Sequence, residues 1–213
     1  MDTKRLIETL AADGAYREPS VGRALAVALI LTLPVAMAML LVSLGLRPDI
    51  SAAIRNPMFN LKFVVTLALV VSAIAVALHV ARPEGSPARR GWLLLSPVAL
   101  LALGIVGETL LVPQRAPMST RLVGNNAGLC LVAIPLLSVP LLAAALIALR
   151  RGATSQPALL GALAGLAAAG LAATLYAAHC SDDSPLFVAT WYSLATLGVA
   201  AVGAAAGTKI LRY

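Results

Sequence analysis

The run Ala24-Leu25-Ala26-Val27-Ala28-Leu29-Ile30-Leu31-Thr32-Leu33-Pro34-Val35-Ala36-Met37-Ala38-Met39-Leu40-Leu41-Val42-Ser43-Leu44-Gly45 contains 22 residues and no charge. As a helix it extends about 33 Å, enough to cross a hydrocarbon core. It is longer than the core of a cleaved signal peptide, and acids precede it. Five further runs of the same kind follow, at 61–81, 92–112, 127–149, 157–178 and 185–207. Short loops carrying Pro, Gly, Asn or charges divide them, among them Arg47-Pro48-Asp49, Arg82-Pro83-Glu84-Gly85 and Arg150-Arg151-Gly152. The chain of 213 residues is 60% hydrophobic and 12% charged, with a mean hydropathy of +0.92. Such a composition lies outside the range of soluble domains. The fold class is therefore all-α: a polytopic membrane protein with six transmembrane helices in one bundle.

Orientation follows from the distribution of basic residues, which concentrate in cytosolic loops. With the amino terminus inside, the inner segments hold eleven Lys and Arg: four in the tail, then Arg82, Arg89, Arg90, Arg150, Arg151, Lys209 and Arg212. The outer loops hold five, namely Arg47, Arg55, Lys62, Arg115 and Arg121. Both termini are thus expected in the cytosol. This gives a tail at 1–23, a membrane domain at 24–207 and a short cytosolic end at 208–213. The net charge of +7 is read as this asymmetry rather than as a nucleic-acid footprint.

The tail balances four bases against four acids, so it is no basic arm for DNA. Asp2 can cap a short helix that Gly14 ends, with Leu6, Ile7 and Leu10 on one face. Such a helix is marginal in water and firms up against a partner, either lipid headgroups or a protein. Within the spans, Gly161 and Gly165 lie one turn apart, as do Gly203 and Gly207, so close helix packing or a dimer face is expected there. Pro34, Pro97, Pro135 and Pro140 suggest kinks, but no matched pair of interrupted segments marks a transporter. Glu108 near the end of the third span is expected at the interface, hydrated or paired with Arg115 or Arg121. His79 and Trp92 are also expected at the interface.

Scarce chemistry concentrates in His179-Cys180-Ser181-Asp182-Asp183-Ser184-Pro185-Leu186-Phe187, followed by Trp191-Tyr192. Ser184-Pro185 has the form of a helix start, and Asp182 and Asp183 suit its positive end. That accounts for the carboxylates and leaves His179-Cys180 over. Of the two cysteines, Cys130 lies about 20 residues above the turn at Arg150 and Cys180 about 23 above Pro157, a height difference of roughly 5 Å. Neighbouring helices pack about 8 to 10 Å apart, within bridging reach if the thiols face one another. Two cysteines without C-x-x-C spacing exclude a disulfide framework or structural zinc site, and leave a single bridge, free thiols or a shared soft metal. In this topology both thiols are outward, and reagents added from outside are expected to label them.

In its tail Leu6-Ile7-Glu8-Thr9-Leu10-Ala11-Ala12-Asp13, in Gly45-Leu46-Arg47-Pro48-Asp49, Asn60-Leu61-Lys62 and Ala81-Arg82-Pro83, the chain resembles the NrsF family of bacterial membrane anti-sigma factors. The resemblance continues through Cys130-Leu131 with Ile134-Pro135-Leu136-Leu137-Ser138 and through the His179 to Phe187 motif, and it covers nearly the whole chain. It implies an anti-sigma factor, not an enzyme and without a cofactor, that sequesters an extracytoplasmic-function sigma factor at the inner membrane and releases it on envelope stress. It implies Cys130 and Cys180 as the sensing thiols, with His179, Asp182 and Asp183 as their neighbourhood. Leu6, Ile7 and Leu10 are the candidate sigma-binding stripe. No direct nucleic-acid contact is implied. A membrane thiol oxidoreductase is the alternative, although that activity calls for a C-x-x-C or a second cysteine pair. A small transporter comes third.

Overall fold

The structure, a computed structural model, describes residues 3–13, 20–86, 89–111 and 117–212. Among these there is no strand, and six helices are long and apolar enough to cross a membrane. Helix α1 is Thr3–Asp13, α2 is Val21–Ser43, and α3 is a single turn at Ile50–Ala53. Helix α4 is Pro57–Val80, and α5, entered through a 3-10 turn at Gly91–Leu94, is Leu95–Leu111. The short α6, Met118–Val123, leads into α7, Ala127–Leu149, and then α8, Pro157–Ala177. The last span comprises α9 at Pro185–Phe187, a π-helical turn at Val188–Tyr192, and α10 at Ser193–Ile210.

The ends follow from local chemistry. The Asn56 side chain accepts from Met58 N–H at 3.0 Å and Pro57 opens α4, while Pro157 opens α8. Gly45, at φ +72°, ends α2 by placing its N–H on the Leu40 carbonyl. Pro34, Pro135 and Pro140 sit inside continuous helices.

Lipid offers helices no hydrophobic reason to associate, so their packing depends on close van der Waals approach. The bundle meets that condition at its centre, where α8 packs against α10, α4 and α7. Ala168, Ala169, Ala172 and Ala173 are fully buried along α8. A Cβ on Gly161 would stand 2.2 Å from the Gly203 carbonyl oxygen, and one on Gly165 would stand 2.7 Å from that of Val199. The glycine faces therefore serve packing within the chain. Large apolar side chains point outward instead, including Leu31, Val42, Val71, Leu103 and Ile147, and give the lipid-facing surface.

In α1, Ile7 is 61% exposed, and the side chains of Leu6 and Leu10 lie outside the described residues. So do Asp2 and Gly14, the expected ends of this helix, and Arg115.

Candidate functional site

The motif from His179 to Ser184 is the loop between α8 and α9, and every acid and base near it has a partner. It begins as α8 runs out: Cys180 N–H donates to the Tyr176 carbonyl at 3.0 Å, and the Ala178 carbonyl accepts from Arg47 N–H. His179 Nδ1 lies 3.1 Å from the Gly45 carbonyl oxygen, joining the loop to the end of α2. Cys180 is fully buried, as is Cys130 in the first turn of α7, and the two belong to one apolar cluster. Neither forms a disulfide.

Asp182 and Asp183 work in opposite directions. The Asp182 carboxylate reaches the start of α7, accepting from Asn125 N–H at 3.0 Å, Asn126 N–H at 2.8 Å and Asn126 Nδ2 at 2.9 Å. A negative group there satisfies open N–H groups and suits the positive helix end. The helix served is not the one expected: Asp182 caps the helix that carries Cys130 and ties the two cysteine-bearing segments together. Gly124 permits this approach, for at φ +59° any Cβ would meet Phe187 and lie 2.8 Å from the Asp182 carboxyl carbon. Ser184 likewise makes no side-chain cap, and its hydroxyl donates to Glu108 at 3.3 Å. Glu108 in turn pairs with Arg121, as expected at the interface. Trp191 Nε1 donates to the Leu122 carbonyl and fastens α6 to the π turn.

Asp183 anchors a charge cluster beneath the loop. Lys62, one turn inside α4 and only 1% exposed, places Nζ 2.7 Å from Asp183 Oδ1. The same ammonium donates to the Cys180 carbonyl at 2.9 Å. Arg47 bridges Asp183 at 3.0 Å and grips Asp49 in a forked pair at 2.8 Å, and Asn56 Nδ2 adds a third donor to Asp183. Both cations stand near the Phe59 ring, at 5.2 and 5.3 Å from its centroid. Two cations thus meet two carboxylates, and the pairing offsets the cost of burying these groups. The Arg47 guanidinium holds the Asp49 carboxyl below its ordinary value, and the hydrogen bond to Asp49 raises Arg47 further.

The arrangement corrects one expectation. The expected open thiols are buried: Cys130 and Cys180 are each 0% exposed. Burial raises the Cys180 thiol above its ordinary value, against the pull of Lys62 and the Asp182 backbone. Among the described residues no group of three His, Cys, Asp or Glu is placed to hold a metal. Among the remaining polar groups, His79 Nε2 is buried without a partner, and Trp92 is exposed at the bundle edge.

Sequence reasoning missed the two bases that matter most here. Arg47 and Lys62 were counted as outer-loop charges, yet both are buried and paired. A lysine one turn inside an apolar run was the available signal, since such a charge requires a partner.

Residues 10–213 match the family described as negative regulator of sigma F, NrsF. The chain belongs to that family. It is 36% identical over 216 residues to the anti-sigma-F factor NrsF of Caulobacter vibrioides, covering 100% of both chains. It is 33% identical over 220 residues to the probable anti-sigma-F factor NrsF of Azospira oryzae, again covering 100% of both. No solved structure matches the chain. Family membership joins an anti-sigma lineage to a bundle whose buried polar chemistry lies around two thiols at one end.

Proposed function

We propose that this chain is a membrane anti-sigma factor that holds an extracytoplasmic-function sigma factor at the inner membrane and releases it when Cys130 and Cys180 are modified. Full-length kinship to two anti-sigma-F factors carries the reading. The protein is a regulator rather than an enzyme, and its partners are the sigma factor and the bilayer.

Both termini lie in the cytosol in this account and the two thiols lie at the outer end. The basic residues support that orientation: of the five assigned to the outside, Arg47, Lys62 and Arg121 are in ion pairs with acids. Their charge is locally neutralised, which strengthens the inward bias of the rest. Sigma docks on α1, with Leu6, Ile7 and Leu10 entering a groove as an amphipathic helix does. The exposure of Ile7 fits an apolar side chain awaiting a partner.

The two buried thiols are the input. Small membrane-permeant oxidants, electrophiles or soft metal ions reach the thiols, and joining or loading them strains the Asp182 latch and the Lys62 contact with the Cys180 carbonyl. Lys62 lies at the start of α4. The other end of α4 receives the Thr154 hydroxyl on the Val80 carbonyl at 2.9 Å, so α4 connects the thiol end to the loops at the opposite face. Release requires two states of this connection with different affinity for sigma.

The test is a Leu6→Asp, Leu10→Asp double variant in the native host. Sigma-dependent transcription rises without stress while the protein still inserts in the membrane. Unchanged repression would move the docking surface to the cytosolic loops, and a gene deletion without transcriptional effect would remove the anti-sigma reading.

A further inference from the structure

Of the six spans, the third is the one least enclosed by the others. Only 6% of its apolar stretch within Gly91–Leu110 is buried inside the protein, against 67% for Pro157–Ala177. Among the described residues, α5 packs on α4, on the 3-10 turn before it and on α9, and stands apart from α8 and α10. That spacing leaves a cleft of about 270 Å³ within the membrane-crossing part of the bundle, lined by residues of α4, α5, α8, the π turn and α10.

The cleft runs from the lipid into the core. At its mouth Val98 of α5 and Leu197 of α10 are 62% and 61% exposed, so the opening is continuous with the lipid-facing surface. Leu101 of α5 and Leu166 of α8 are half-buried, and Val65 of α4 and Val188 of the π turn are buried. No lining side chain is charged. Thr66 and Thr196 turn their hydroxyls to their own helices, donating to the Lys62 carbonyl at 2.9 Å and the Ser193 carbonyl at 3.1 Å. The ligand chemistry such a lining recognises is therefore apolar and uncharged.

Size and setting narrow it further. The volume lies near the lower end of small-molecule sites, about 300–1,000 Å³, and is too small for a second helix about 10–12 Å across. Side chains facing apolar space lose dispersion contacts on that side, and in lipid those contacts are what holds helices together. A flexible hydrocarbon chain entering from the bilayer restores them. We propose that the cleft binds one acyl chain of a bilayer phospholipid, which enters between α5 and α10 and fastens α5 to the rest of the bundle. Val188 N–H donates to the Ser184 carbonyl at 3.2 Å, so the inner end of the cleft lies one helical turn from the loop that carries Cys180. The site goes beyond the anti-sigma reading and does not depend on it.

The experiment is photo-cross-linking of the full chain in phosphatidylcholine nanodiscs containing a phospholipid with a diazirine on one acyl chain, with adducts mapped by proteolysis and mass spectrometry. Adducts form on Val65 and Leu166 as well as on Val98 and Leu197. Leu101→Trp fills the cleft from the α5 wall and Val65→Phe fills it from the α4 wall. In each variant the Leu166 adducts are lost while those on Val98 and Leu197 remain. Adducts confined to Val98 and Leu197 in the parent overturn the proposal, and that result needs no variant to fold. Leu166 adducts unchanged in both variants overturn it as well. A stable dimer by native mass spectrometry, with Leu166 unlabelled, also overturns it and assigns the cleft to a second copy of the chain. Sigma-dependent transcription is not the readout, so failure here leaves the anti-sigma reading to its own test.

Discussion

Replacing Asp183 with alanine tests whether that carboxylate is what holds the buried Lys62 charge. The carboxylate lost is the one that holds Lys62 Nζ at 2.7 Å and Arg47 at 3.0 Å. Arg47 keeps Asp49, whose side chain is in solvent, and so remains neutralised. Lys62 does not. At 1% exposure it cannot recruit bulk water, and its remaining partners are the Cys180 and Asp182 carbonyls at 2.9 and 3.4 Å. Stripping one partner from a buried pair costs about 3–5 kcal/mol, mostly as the penalty on the charge left behind. Equilibrium unfolding of Asp183→Ala in mixed micelles, followed by tryptophan fluorescence, reads that loss. Lys62→Met together with Asp183→Ala removes the stranded charge, so the double variant is more stable than the sum of the single losses by about 1–3 kcal/mol. A loss below about 1 kcal/mol in Asp183→Ala, or strictly additive losses, would refute the reasoning, since Lys62 would then be hydrated rather than held by Asp183.

Further outcomes follow from the same contacts. Gly161→Leu places side-chain atoms where a Cβ alone would already stand 2.2 Å from the Gly203 carbonyl oxygen, and it destabilises the bundle by at least about 1–3 kcal/mol in the same unfolding assay. Cys180 has a folded value above its ordinary one, so the stability it contributes is full below the unfolded thiol value of about 8.5 and is lost as pH rises toward the folded value; Cys180→Ser flattens that alkaline decline. Asp49 has a folded value below its ordinary one, so its contribution is present above about pH 3.9 and is lost on further acidification, a dependence that Asp49→Asn removes from acid unfolding curves. A periplasm-dependent phosphatase fused after Tyr213 is inactive, and activity there would reverse the orientation.

The spans were legible because lipid imposes one simple requirement: backbone groups satisfied inside helices long enough to cross. The run from Ala24 to Gly45 meets it without reference to any other residue. Arg121 was legible as one of two candidate partners for Glu108, with Arg115, because both bases lie in the loop that follows its span. The partners of the His179 motif were not, because Arg47 and Lys62 stand 136 and 121 positions before Asp183, and only helix packing brings them together. Local rules held in part: Ser184 is the N-cap position and Pro185 opens α9. Ser184-Pro185 and the adjacent aspartates have the form of one helix start, but Asp182 finds stronger donors at Asn125 and Asn126, and Ser184 turns to Glu108. Exposure of the thiols failed for the same reason. A loop outside the spans implied water for Cys180, whereas that loop packs into the bundle and leaves Cys180 buried.

Recovery of sigma from membranes measures the central claim most directly. The full-length chain, affinity-tagged and isolated from native membranes in mild detergent, is assayed for a bound sigma factor by quantitative mass spectrometry before and after cells meet a permeant thiol-reactive compound. The account predicts that sigma accompanies the untreated protein, departs after treatment, and stays with a Cys130→Ser, Cys180→Ser variant under the same treatment. Absence of any sigma factor from the untreated protein, or equal departure from the variant without cysteines, would contradict it.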